Sequence, residues 1–287
     1  MKIIDGKELA KQIKTNLAAT VAEVTGEGAR APHLAVILVG DDKSSATYVR
    51  GKAKASAEVG IENTTIHRPA DLSHTELLEL VEKLNNDPAV DGILVQLPLP
   101  EHIDTQKIIE HIDPSKDVDG LTSANAGCLA QALPGVRACT PRGIIAMLDS
   151  AGVRIDGARA VVVGRSNLVG FPVAKMLLDR DATVTIAHTH TRDLGAVTRE
   201  ADILVVAAGS PRLIKADMVK EGAAVIDVGI SWDDAAGRLV GDVDFDAVKD
   251  KTSAISPVPG GVGPMTIAGL MMNTVECWLR HVRSEEK

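Results

Sequence analysis

Aromatic side chains are nearly absent: two Trp, one Tyr and two Phe make up 2% of the 287 residues. Any core must therefore be built from Val, Ile, Leu and Ala. Cysteine is scarce as well. Cys128, Cys139 and Cys277 show no CxxC spacing and no pairing pattern, which speaks against a disulfide framework and for a reduced, cytosolic compartment. There is no long basic run, and the formal charge is −8. That argues against nucleic acid or an anionic membrane as the main partner. Any anion must be gripped locally, by a few Arg, Lys or backbone N–H groups. Long apolar runs are missing too. Residues 35–39 and 203–208 are far too short to span a membrane. The opening Met1-Lys2-Ile3-Ile4-Asp5-Gly6 turns polar too early for a signal peptide.

What is present is an ordinary globular mix, 45% hydrophobic and 24% charged, over a length that suits two compact domains. Apolar spacing predicts a helix over 7–24 and strands over 33–39, 61–67 and 92–97, with helices over 44–59 and from Ser73 to about Leu84 between them. Ser73-His74-Thr75-Glu76 has the form of a capping box. Strands separated by helices imply a parallel sheet covered by helices. Thr140-Pro141 opens a helix to about Asp149. Beyond it, strands over 160–163, 183–187, 203–207 and 224–228, with helices over 173–178 and 192–199, make a Rossmann-like pattern. The last long helix is expected to begin near Met265. The fold class is therefore α/β with two domains, and no internal repeat is visible.

A glycine turn, Gly164-Arg165-Ser166-Asn167-Leu168-Val169-Gly170, lies between a strand and a helix. Glycines there let backbone approach a pyrophosphate, and the helix N-terminus favours its charge. The middle glycine of the full fingerprint is missing, so a plain structural turn also fits. The next strand ends Ala187-His188-Thr189-His190-Thr191-Arg192, with no carboxylate at its tip to meet ribose hydroxyls. Basic and hydroxyl groups there, with Arg165, suit a 2′-phosphate, so NADP is favoured over NAD. His188 and His190 can equally be exposed strand-end residues, and no third ligand is spaced for a metal.

Tyr48 and Lys52 are four apart on a predicted helix and share a face. Tyr48 can stack on a flat heterocycle, and a lysine beside such a surface can serve in acid–base chemistry. A solvated helix lysine is the plainer alternative. Gln96 interrupts an apolar strand at its carboxyl end, where parallel sheets place ligands, or is a satisfied structural amide. Asp119-Gly120 is a turn or a carboxylate aimed into a pocket. The Gly/Pro-rich segment 256–266 is a cleft-lining loop or a helix-entry linker.

Taken together, Tyr48-Val49-Arg50-Gly51-Lys52, Val95 through Pro100, Lys116-Asp117-Val118-Asp119-Gly120, Cys139 through Gly143, Gly164-Arg165-Ser166 with Val169-Gly170, Val225 through Ile230, and Pro259 through Thr266 resemble the bifunctional methylenetetrahydrofolate dehydrogenase/cyclohydrolase family. The resemblance covers nearly the whole chain. It implies a homodimer with a catalytic domain over 1–139, a Rossmann-like NADP domain over 140–266, a helix over 267–287 returning to the first domain, and a folate cleft between domains; the cysteine usage places it in the cytoplasm. It implies Lys52 as the catalytic lysine, Gln96 as its partner, Tyr48 stacking under the folate and Asp119 holding the pterin. Val262, Gly263, Pro264 and Thr266 would line the cleft, and Gly164, Arg165, Ser166, Thr189 and Ile230 would contact NADP. The substrates would be one-carbon derivatives of tetrahydrofolate. The chain departs from the family at 187–190, at Ala138 before Cys139, and at Ser231-Trp232. Two rivals stand beside this reading. One is an NADP-dependent dehydrogenase of another small substrate; the other is a nucleotide-binding regulator without turnover.

Overall fold

A computed structural model describes residues 1–234 and 237–285 of the chain. The order begins β1 (Lys2–Ile3), α1 (Gly6–Gly26), β2 (His33–Val39), α2 (Lys43–Val59), β3 (Glu62–Arg68), α3 (His74–Asn85), β4 (Gly92–Val95), α4 (Thr105–His111) and α5 (Ser123–Ala130). It continues α6 (Cys139–Ala151), β5 (Arg159–Val163), α7 (Gly170–Leu178), β6 (Thr183–Ala187), α8 (Leu194–Thr198), β7 (Ile203–Val206) and β8 (Ala224–Asp227). The remaining elements are β9 (Ser231–Asp233), β10 (Arg238–Val240), α9 (Phe245–Val248), β11 (Ala254–Ile255) and α10 (Val262–Glu285). Two compact units result: Lys11–Cys139 with the described residues from Ile267 onwards, and Met1–Ala10 with Thr140–Thr266.

The first unit is built on a parallel sheet of order β3-β2-β4. Its central strand has no polar face, as expected where helices cover both sides. Leu34, Val36 and Leu38 pack in one cluster with Val49 and Val59 of α2 and Leu270, Met271 and Trp278 of α10. Ala35, Ile37 and Val39 pack in the other with Leu77, Val81 and Leu84 of α3. Trp278 is fully buried, and its Nε1 donates to Arg30 O at 3.0 Å; truncating such a side chain costs about 3–5 kcal/mol. The predicted capping box forms at Ser73 and Glu76 and starts α3. Asp42 caps α2, accepting from Ser45 N at 2.7 Å, and Gly60 ends it at φ 86°.

The second unit carries a six-stranded sheet of order β1-β11-β8-β7-β5-β6, parallel throughout. From β5 the chain moves first to β6 on one side and then to β7 on the other. A topological switch point therefore lies at the carboxyl end of β5, where doubly wound sheets bind ligands. β7 and β8 are buried along their whole length. An antiparallel hairpin, β9 with β10, follows β8.

Three expectations need correction. Residues 1–10 go with the six-stranded unit, because β1 pairs with β11 and Ile4 N donates to Ile255 O at 2.8 Å. The last helix starts at Val262, not near Met265, since Pro264 fits a first helical turn where its missing N–H has no partner to lose. β4 stops at Val95, although Gln96 N still donates to Ile37 O at 2.9 Å. The expected end of the last helix at 286–287 lies outside the described residues.

Candidate active site

Lys52 lies on the inward stripe of α2, in the helical series Ser45, Val49, Lys52, Ser56, whose other three members are buried. The lysine is half-buried, and its Nζ donates to Gln96 Oε1 at 2.9 Å. Gln96 stands just past the carboxyl end of β4, and its Nε2 donates to Leu97 O at 2.7 Å. The amide is thus oriented by its own backbone, with its oxygen turned to the lysine. Tyr48, one turn before Lys52, is 49% exposed and leaves a ring available for stacking.

Asp119 completes this group. It is half-buried, and burial raises its carboxyl above the ordinary value, while the charge of Lys52 opposes the rise. The turn that carries it is pinned from several sides. The buried Asp117 carboxylate accepts from Gly120 N at 2.9 Å and Thr122 N at 2.9 Å. Val118 O accepts from Asn273 Nδ2 at 2.8 Å and from Cys139 Sγ at 3.2 Å. Burial, then the Asp119 charge, push the Cys139 thiol well above its ordinary range, so it remains a donor. Gly120, at φ 71°, packs so closely on the Arg137–Ala138 peptide that a Cβ would lie 2.6 Å from Arg137 C. The structure therefore gathers Lys52, Gln96 and Asp119. It also adds Asp117, Cys139 and Asn273, to which the sequence reading gave no role. The signal for Asn273 was present: an amide, with Thr274 beside it, inside the otherwise apolar Leu270–Val275 stretch.

In the six-stranded unit, the residues expected to hold a nucleotide share the carboxyl edge of the sheet. Gly164 follows β5 at φ 119°, and a Cβ there would run into Ala207 O. A Cβ on Gly170 would run into Gly164 O. Only glycine permits this close strand–turn–helix passage. Arg165 and Ser166 are exposed on the turn, and Ser166 Oγ accepts from Val169 N at 3.2 Å. No acidic residue occupies the first turn of α7, so its N-terminus stays favourable to an anion. Past β6, His188 N donates to Thr191 Oγ1 at 2.8 Å, forming a turn that leaves Thr189 exposed. Ile230 is exposed just beyond β8. This open glycine edge, with Arg165 and no carboxylate at the β6 tip, fits a dinucleotide bearing a 2′-phosphate. Val262, Gly263, Pro264 and Thr266 form the first turn of α10, where Thr266 Oγ1 meets Thr140 Oγ1 at 2.8 Å. Among the described residues no metal-binding group of His, Cys, Asp or Glu occurs, and no helix is long and apolar enough to cross a membrane.

Comparison with known proteins agrees with this layout. Residues 4–119 match the tetrahydrofolate dehydrogenase/cyclohydrolase catalytic domain, and residues 138–282 match the NAD(P)-binding domain of the same family. The chain is 57% identical over 282 residues to the bifunctional protein FolD of Halothermothrix orenii, covering 98% of this chain and 99% of that one. It is 55% identical over 275 residues to that of Sorangium cellulosum, covering 96% of each. Among solved structures, the bifunctional FolD methylenetetrahydrofolate dehydrogenase/cyclohydrolase of Campylobacter jejuni superposes with a TM-score of 0.95 at 48% identity, over 98% of this chain and 99% of that one. The Trypanosoma brucei enzyme, solved with NADP cofactor and an inhibitor, gives 0.92 at 42% identity, over 98% of each. With both domain models matched in order and relatives aligned nearly end to end, the chain belongs to the tetrahydrofolate dehydrogenase/cyclohydrolase family.

Proposed function

We propose that the chain oxidises 5,10-methylenetetrahydrofolate to the 5,10-methenyl form with NADP and hydrolyses that product to 10-formyltetrahydrofolate. The observation that carries the reading is the 2.9 Å contact of Lys52 with Gln96, within the electrostatic reach of Asp119, on a chain of this family. NADP, when bound, supplies the hydride acceptor. Gly164, Arg165, Ser166, Thr189 and Ile230 bind and orient it. A folate nitrogen's lone pair drives hydride loss from the methylene carbon, so the chain's task in that step is alignment.

Hydrolysis asks more of the side chains. Water adds to the methenyl carbon, one proton is released, and a folate nitrogen takes up another as its bond to that carbon opens. Lys52 moves the proton at Nζ, and Gln96 Oε1 holds Nζ in place. Tyr48 stacks on the folate ring, and Asp119 accepts from the N–H edge of the pterin. Val262, Gly263, Pro264 and Thr266 complete the folate-binding set. In the same reading the chain works in the cytoplasm as a homodimer; its low cysteine content supports the first, and the family resemblance the second.

The test is one preparation assayed two ways. NADPH formation from methylenetetrahydrofolate and methenyl hydrolysis above the spontaneous rate are followed spectrophotometrically. Both are expected. NADP reduction only with another alcohol or amine substrate would favour a different dehydrogenase, and binding without turnover a regulator.

A further inference from the structure

Two buried carboxyl groups outside the folate-side cluster organise the nucleotide edge. Asp227, at the end of β8, is 2% exposed, and Asp242, between β10 and α9, is 0% exposed. Asp227 Oδ1 accepts from Gly229 N at 3.1 Å and Asp242 N at 2.9 Å, and its Oδ2 accepts from Val243 N at 3.0 Å. Asp242 Oδ2 accepts from Ala208 N at 2.7 Å and Gly209 N at 2.8 Å. The pair therefore binds the turn after β7, the turn after β8 and the approach to α9 through backbone alone. Gly229 and Gly241 press against the two carboxyls, where any Cβ would clash.

The arrangement is electrostatically uneasy. Asp242 Oδ1 is buried without a hydrogen-bond partner. Arg212 and Arg238 line a cavity of about 210 Å³ beside Asp227, together with Asp244 and Asp246. The two arginines are engaged elsewhere, with Asp233 at 2.8 Å and Asp246 at 3.4 Å. Burial, and then the charge of Asp242, push Asp227 up to about 7, against the pull of its N–H donors. An ionised Asp227 has lone pairs for all three N–H groups. A protonated one turns an acceptor site into a donor, and its hold on the three N–H groups, Gly229 N among them, weakens. Gly229 is the residue before Ile230.

We propose that Asp227 and Asp242 are positioning residues for the dinucleotide, and that a proton taken up by Asp227 slackens the Gly229–Ile230 turn and weakens NADP binding in mild acid. This rests on the reading that NADP lies along this edge, and it assigns neither residue a contact with the cofactor.

The experiment is NADP binding to the full chain by titration calorimetry from pH 5.5 to 8.5, for the wild type and Asp242→Asn. Asparagine keeps the oxygen that accepts from Ala208 and Gly209, removes the charge beside Asp227, and places an amide donor next to it. Wild-type affinity should fall below about pH 7, by up to about tenfold per unit for a single linked proton. In Asp242→Asn the fall should move at least one unit lower. The 2′-phosphate of NADP also titrates in this range, but both proteins meet the same cofactor, so the separation of the curves reports on Asp227 and the charge beside it. Superimposable curves from folded protein, or a wild type without any acid fall, overturn the proposal and leave NADP binding itself standing. No NADP binding at any pH overturns both. Should Asp242→Asn not fold, the carbon-13 titration of the Asp227 carboxyl in the wild type decides: a midpoint below 5 sinks the idea, and one near 7 upholds it.

Discussion

Lys52 Nζ donates to Gln96 Oε1 across 2.9 Å, joining the inward stripe of α2 to the carboxyl end of β4. Lys52→Met keeps the apolar stem and removes the donor. Methenyl hydrolysis should fall by about 10²–10⁴-fold, the usual loss of a general acid–base group, while folate and NADP still bind. NADPH formation should fall less, because the substrate nitrogen drives hydride loss. Wild-type hydrolysis in this variant would reduce Lys52 to an ordinary helix lysine.

Arg165 stands exposed on the turn after β5. Arg165→Ala should raise the Michaelis constant for NADP about tenfold, the scale of one solvent-exposed charge-assisted contact. The constant for NAD, which has no 2′-phosphate, should hardly move. Equal changes for both cofactors would remove Arg165 from the phosphate site.

Asp119→Asn turns a pure acceptor into a mixed donor and acceptor facing a donor-rich pterin edge. Folate binding and both activities should weaken, with NADP affinity unaltered. Because burial raises the Asp119 carboxyl above 3.8, wild-type folate binding should already decline with falling pH before that value is reached. A variant with unchanged folate kinetics would make Asp119 a turn residue only.

Gly164→Ala is predicted to damage the second unit physically. It forces φ 119° on an L side chain and drives a Cβ into Ala207 O. Strain of this kind costs on the order of 1–3 kcal/mol before the clash is counted. Thermal melts of the two proteins would check it, and an unchanged midpoint would refute it.

Asp91, fully buried, accepts from Arg30 at 2.6 Å, from His33 N at 2.9 Å and meets His281 at 2.9 Å. Burial alone would raise its pKa, but Arg30, His281 and His33 N together hold it below 3.8. A depressed carboxylate contributes stability above its unfolded value and loses it as pH falls through the folded one. Asp91→Asn should therefore cost about 3 kcal/mol at pH 7, the low end for breaking a buried pair. The gap to the wild type should narrow below pH 3.8. Urea unfolding at pH 7 and pH 3 would show whether it does.

How much was legible depended on whether the signal was local. β2 declared itself as seven residues with one apolar core on each side. The Ser73 capping box and the Gly164 turn are short-range chemistry and were equally readable. Gln96 stood out because it is the one polar group in an apolar strand. Asn273 carries the same signal in a helix, where polar interruptions come every turn and mean less. β1 was not readable at all: two residues have no periodicity, and their partner is β11. Asp227 fell inside a predicted strand and Asp242 drew no reading, because only the assembled sheet shows that both are buried together.

The pairing of β1 with β11 and the seating of α10 have a consequence for biosynthesis. Translation emits Lys2–Ile3 long before Ala254–Ile255, so that sheet edge stays open until residue 255 has emerged. The β2 cluster likewise waits for Trp278. Both units therefore wait for segments made after residue 253. Nascent chains arrested before residue 254 should be open to protease in both halves, and released chains in neither.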